Sequence, residues 1–321
     1  MNRLLLLAVA AVPVLAFGPA QAFTAYVSNE KGNTVSVVDL DQMKEVATIP
    51  VGERPRGITI SKDGTRLYVC TSDADHVEVI DTATRKVIDT LPSGADPELF
   101  VLSPDDKRLY VANEDDSMVT VLDLEQKVVE SEVPVGVEPE GMGVSPDGKI
   151  LVSTSETTNM AHFIDTDTLQ LTDNVLVDSR PRFAEFTPDG KQVWVSSEIG
   201  GTVAVIDTAT RKVVHKIGFA VQGVRKETIQ AVGVAITKDG KTAFIALGPA
   251  NRVAVVDTAT YEVTDYLLVG QRVWHLDFTP DGKYVVSVNG ASNDISVIDV
   301  ADRKVIKSIP VGELPWGVAI H

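Results

Sequence analysis

Seven short segments of this 321-residue chain set two residues around one position, which is proline in five of them. The pairs are Arg54 and Arg56, Asp96 and Glu98, Glu138 and Glu140, Arg180 and Arg182, Gln230 and Val232, Arg272 and Trp274, and Leu314 and Trp316. Residues at i and i+2 of an extended backbone point the same way, so each pair is expected to face one side. The series is sorted by charge: an acidic arc from two neighbouring segments is flanked by arginine pairs, and Arg272 joins two tryptophans. Five arginines converging with two indoles suit a small, planar anionic ligand, held by bidentate hydrogen bonds and stacking. The competing reading is a solvated rim in which Arg and Glu pairs neutralise one another, as surface ion pairs commonly do.

A second row carries Glu30, Ser72, Glu114, Glu156, Glu198, Gly248 and Gly290 at equivalent places. Together with Asp96, Glu98, Glu138 and Glu140, the carboxylates Glu114 and Glu156 form a candidate site for a hard cation or a partner, since such ions take oxygen ligands. The spacing matches no known metal motif, so the metal stays unknown. His275 stands where other units have Gly, Leu or Phe, and it is the one histidine of five placed to act as acid, base or ligand. It could equally fill space beside Trp274. One segment is longer than the rest, about 218–230, and offers Gln222, Arg225, Lys226 and Glu227 as a partner loop. No Gly-x-Ser-x-Gly elbow is present, and no residue is assigned as catalytic.

The elements that position these residues repeat. Asp39, Asp81, Asp123, Asp165, Asp207, Asp257 and Asp299 each end a Val-rich run, at steps of 42 residues except for one of 50 before Asp257. Asp63-Gly64, Asp147-Gly148, Asp189-Gly190, Asp239-Gly240 and Asp281-Gly282 form a second repeating marker, with Asp105-Asp106 in the second place. A period near 42 with several short strands per unit predicts an all-β, seven-bladed β-propeller of four-stranded antiparallel blades. The repeating Asp residues are expected to cap turns, accepting from backbone N–H groups two residues on. The chain enters at the second strand of a unit and leaves after the first strand of one, so its C-terminal strand should close the ring against the N-terminal strands.

Residues 1–22 read as a signal peptide: Arg3, an apolar run from Leu4 to Phe17, then Ala20-Gln21-Ala22 as a cleavage site. A single propeller domain over residues 23–321 and a periplasmic location are expected, with no membrane span. The one cysteine, Cys70, lies mid-strand and is expected in the core. The formal net charge of −16 opposes nucleic acid and anionic membranes, and it suits a basic partner such as a small redox carrier.

Tyr26-Val27-Ser28-Asn29, Tyr68-Val69-Cys70-Thr71 and Tyr110-Val111-Ala112-Asn113 resemble the repeat of the YVTN β-propeller family, as do the Val-Gly-x-x-Pro and Ser-Pro-Asp-Gly segments. Later units drift, with Val152, Phe244 and Val286 for Tyr and Leu247 for Asn. With its leader and seven units, the chain is similar to the subgroup associated with pyrroloquinoline-quinone-dependent catabolism. That resemblance implies a periplasmic accessory role beside a quinoprotein alcohol dehydrogenase, and it carries over no catalytic residue. The expected function is non-enzymatic binding of a small anionic ligand or a partner protein at the channel face. The alternatives are an enzyme or a haem-like or metal cofactor site built on His275, and a purely structural interaction module.

Overall fold

The computed structural model describes residues 23–321, and the leader assigned to residues 1–22 lies outside the described residues. Seven four-stranded antiparallel sheets form the blades. A representative blade runs from inner strand Pro55–Ile60 through Arg66–Thr71 and His76–Asp81 to outer strand Lys86–Pro92. The next inner strands are Pro97–Leu102, Pro139–Val144, Pro181–Phe186, Val234–Ile236 and Val273–Phe278. In the last sheet the inner strand Pro315–Ile320 pairs with Thr24–Asn29, and Thr34–Asp39 and Lys44–Pro50 follow. Ala25 lies opposite Ile320, Tyr26 opposite Ala319 and Val27 opposite Val318. The expected closure is therefore the observed one.

Burial follows from this layering. Each middle strand has a neighbouring blade on both faces, so its residues are buried without alternation. Leu67, Val69 and Ile80 of one blade pack on Tyr26, Val35 and Val37 of the next in a single apolar cluster. Outer strands such as Lys86–Pro92 are exposed over most of their length. Cys70 is fully buried in this packing.

The repeating Asp residues are turn caps. Asp39 Oδ1 accepts from the backbone N–H groups of Asp41 at 3.0 Å and Gln42 at 2.8 Å, and Asp81 Oδ1 accepts from Thr84 N at 2.8 Å. Gly64 sits at φ +69°, where glycine has no steric penalty. Asp106 takes φ +58° at the equivalent turn without that freedom. The Asn of the Tyr-Val-x-Asn motif is structural as well. Asn29 Nδ2 donates to Thr34 Oγ1 at 3.0 Å and to Ser36 Oγ at 2.9 Å, tying two strands of its blade. Among the described residues, no helix is long and apolar enough to cross a membrane.

Candidate functional site

The mouth of the channel is built from the residues that enter the inner strands, but not through extended backbone. Arg54, Asp96, Glu138, Arg180, Arg272 and Leu314 all have φ between +50° and +59°, in the left-handed region. Such a conformation costs a non-glycine residue roughly 1–2 kcal/mol. Hydrogen bonds at both ends of the residue offset that cost. Arg54 N donates to Asn33 Oδ1 at 3.1 Å, Arg180 N to Asn159 Oδ1 at 3.0 Å and Arg272 N to Asn251 Oδ1 at 2.9 Å. On the other side, Ser72 N donates to Arg54 O, Glu114 N to Asp96 O, Glu156 N to Glu138 O and Glu198 N to Arg180 O, at 2.8–3.1 Å. The left-handed residue thus clamps the second row of acids onto the first row. This clamp brings the two rows together.

The clamp makes an ion-pair network. Arg54 reaches Asp96 at 2.6 Å, Glu98 at 3.1 Å, Asp73 at 3.4 Å and Glu30 at 3.7 Å. Arg56 reaches Glu98 at 2.5 Å and Glu30 at 3.3 Å. Arg180 pairs with Glu156 at 2.7 Å and Glu198 at 3.2 Å, and Arg182 lies against Glu140 at 3.5 Å, Glu198 at 3.6 Å and Glu156. Arg272 donates to Glu198 at 2.7 Å and to Gln230 at 2.7 Å, with its guanidinium 4.2 Å from the Trp274 ring centroid. All five guanidinium groups of the series are engaged by carboxylates. The charge expected to hold a planar anion is already compensated within the ring, and the carboxylates outnumber the arginines.

The excess is concentrated in the acidic arc. Carboxylate oxygens of Asp96, Glu98 and Glu114 lie within 4.8 Å of one another, and so do those of Glu114, Glu138 and Glu156. Glu114 belongs to both groups; burial first, and then the Glu140 carboxylate, push its pKa up. Burial likewise pushes Glu140 up, with Arg182 opposing it. Neither Glu140 oxygen receives a hydrogen bond although the side chain is 1% exposed.

Trp316 and His275 are not on an open rim. Trp316 is fully buried, with Arg56 over its ring at 5.5 Å. His275 is buried one residue deeper, 4.3 Å from the Trp316 centroid and 5.4 Å from that of Phe183. The two groups form a plug below the ion pairs, each just past the first residue of an inner strand, where the pairing breaks register between Val273 and Leu276 and beside Pro315. Burial, and then Arg182 and Arg56, lower the His275 pKa to about 3, so the ring is neutral.

Gln222, Arg225, Lys226 and Glu227 are exposed on the long loop, which Phe219 and Ile229 pin to the core. Arg225 pairs with Glu227 at 3.5 Å, outside the mouth network. None of these four side chains joins the ring; the loop meets it through Gln230, which accepts from Arg272.

Two carboxyl groups missed from the sequence line the channel below the plug. Glu185 and Asp277 occupy the column that holds Thr59, Val101, Gly143, Ala235 and Ala319 in other blades. Two acids in a column of small or apolar residues were the available signal. Burial raises Glu185 to about 8, helped by the Asp277 carboxyl, and burial raises Asp277 to about 7.

Three family models match the chain. Residues 142–307 match a model described as lactonase, seven-bladed β-propeller; residues 67–182 match the cytochrome D1 heme domain; and residues 11–99 match a YNCE-like β-propeller. No curated protein matches. Among solved structures, a chain of hydrazine synthase from Kuenenia stuttgartiensis is 24% identical, with TM-score 0.79 over 87% of this chain and 92% of its own. A functionally unknown protein from Desulfotomaculum acetoxidans is 16% identical, with TM-score 0.75 over 92% and 98% of the two chains. These likenesses are likenesses of fold. A haem does not fit the residues present: His275 has Trp316 and Phe183 packed close to its ring, and the arginines that would meet the macrocycle's carboxylates are paired within the protein.

Proposed function

The chain belongs to the seven-bladed β-propeller lactonase family, and on that premise we propose that it is a binding or accessory propeller which receives a positively charged partner protein at the channel mouth. The observation that supports this reading is that Glu114 and Glu138 meet no cation among the described residues, while the arginines beside them are engaged by Asp96, Glu98 and Glu156. Electrostatic complementarity of this kind steers association and sets specificity. The YVTN-type repeats and the export-type leader suggest the setting: the periplasm, with a quinoprotein alcohol dehydrogenase or a small basic redox carrier as partner. The rigid ring offers the arc as a preformed surface, which lowers the ordering cost of docking.

The test is binding of a small basic cytochrome c as probe, measured by calorimetry at low and physiological salt. Binding that weakens with salt, and weakens further in Glu114→Gln/Glu138→Gln, is the expected result. No binding at low salt, or binding indifferent to the double substitution, would sink the reading. The family model itself favours a second reading, hydrolysis of a lactone at the same mouth. Acid release from a panel of aliphatic and sugar lactones decides it, and a rate no higher than the uncatalysed one rejects it.

A further inference from the structure

Beneath the plug the channel widens into a cavity of about 420 Å³. None of Arg56, Glu98, Glu140, Arg182, Trp274 or Trp316 lines it; its inner end is formed by Leu99, Phe183, His275 and Gly317. Its other end reaches Pro146, in the hairpin turn that follows the inner strand Pro139–Val144. The cavity therefore belongs to the face opposite the ion-pair mouth.

Its wall carries the apolar side chains of Ile58, Phe100, Met142, Val234, Leu276 and Val318 beside polar surface of similar extent. Into this wall are set Glu185 and Asp277. Asp277 accepts from Phe278 N at 2.8 Å and from Ile320 N at 2.9 Å. No hydrogen bond or ion pair to the Glu185 carboxyl is found among the described residues, and no Lys or Arg lines the cavity. His275 is 5% exposed, and neither ring nitrogen has a hydrogen-bond partner. A buried polar group without a partner is costly, and the His275 ring is one; Glu185 beside it also has none, while Asp277 has only its two backbone N–H groups and room to accept more.

We propose that the cavity is a binding site for a small organic ammonium ion with an apolar body, whose N–H groups meet Glu185, Asp277 and the neutral His275 ring. An ammonium head supplies three donors, matching two carboxyl groups and one imidazole nitrogen, while the hydrocarbon body covers the aliphatic wall. A bare divalent cation matches less well, because it asks for six or more oxygen ligands and makes no use of that wall. A neutral apolar molecule of the same size would leave the carboxyl groups unpaired. The site is separate from the mouth and does not depend on a partner docking there.

The experiment compares n-hexylamine with n-hexanol, which share a chain and differ in charge, by calorimetry and thermal shift on the exported form of the chain. Hexylamine is expected to bind at least about tenfold tighter than hexanol, in line with hydrogen bonds to charged groups. Glu185→Gln and Asp277→Asn should each lose most of that preference while unfolding cooperatively. Asp277→Asn keeps an oxygen for the two backbone N–H groups, so it serves as the folded variant if Glu185→Gln does not express. Glu114→Gln/Glu138→Gln should leave hexylamine binding unchanged, which separates this site from the mouth. Equal binding of the two probes, no binding of hexylamine, or a preference that survives both carboxyl substitutions would overturn the proposal.

Discussion

Arg56 and Glu98 are one repeat apart, and they form a 2.5 Å ion pair that joins the inner strands of adjacent blades. Glu98 is fully buried. Breaking a buried pair from one side leaves a stranded charge, which costs about 3–5 kcal/mol, whereas replacing both partners by apolar groups is often neutral. Arg56→Met is therefore expected to lower stability by roughly 3 kcal/mol, even with Arg54 still 3.1 Å from Glu98. Arg56→Met/Glu98→Leu should recover most of that loss in urea unfolding. A double variant no more stable than the single one would mean that the pair contributes more than its desolvation.

The channel carboxyl groups set an unusual pH profile. Glu185 is raised from 4.5 to about 8 and Asp277 from 3.8 to about 7, both by burial. A carboxyl raised on folding gives stability that is complete below its unfolded pKa and is lost as pH rises through the folded one. The turn caps act oppositely: hydrogen bonds lower Asp63 to about 2 and also lower Asp81 and Asp165, so their contribution is lost in acid. Stability should then peak at about pH 4–5 and fall toward pH 8. Glu185→Gln should flatten the alkaline limb by up to about 5 kcal/mol, the rise from 4.5 to about 8 taken at about 1.4 kcal/mol per pH unit. Thermal melts across pH 3–9 with and without the substitution check this; an unchanged limb would falsify the assignment.

The parts of the fold visible in the sequence are those fixed by local chemistry repeated seven times. Turn-capping Asp residues, Gly64-type hairpins and the Val-rich middle strands recur with one period, and that period determines the blade count. The charge-sorted pairs were visible for the same reason. Depth was not. Whether Trp316 and His275 stand on the rim or in a plug depends on the left-handed residue before each inner strand, and Arg54, Glu138 or Leu314 carry no composition signal for φ > 0. The pairing of Arg182 with three carboxylates from its own and the preceding blade depends on how deep its inner strand sits, which sequence spacing does not resolve.

Glu114 is the carboxylate at which the acidic arc is most crowded, shared by two clusters and raised by burial and by Glu140. Neutralising it removes like-charge repulsion. Glu114→Gln is expected to gain about 0.5 kcal/mol at pH 8 after solvent screening, with no gain near pH 4 where the group is protonated. Calcium in the millimolar range should raise the melting temperature of the parent more than that of Glu114→Gln. If the substitution destabilises at pH 8, the arc is held by hydrogen bonds rather than strained by charge.

Ring closure predicts the largest effect from the smallest deletion. Residues 317–321 supply most of the strand that lies against Thr24–Asn29, and His321 exchanges backbone hydrogen bonds with Thr24 at 2.7 and 3.0 Å. Val318 and Ile320 pack in one cluster with Ala25, Val27, Val286 and Val288, which spans two blades. Losing the strand unpairs one edge of the first blade, opens that cluster to water and removes the N–H that Asp277 accepts. A single Ile320→Ala change should cost about 2–4 kcal/mol, the usual range for a buried large-to-small replacement. Removal of 317–321 should cost more than any point variant at the mouth, lowering the melting temperature by at least about 10 °C or abolishing a cooperative transition. Scanning calorimetry of the two variants beside the parent reads both effects. A truncated chain that melts with the parent would mean that the blades hold together without a closed ring.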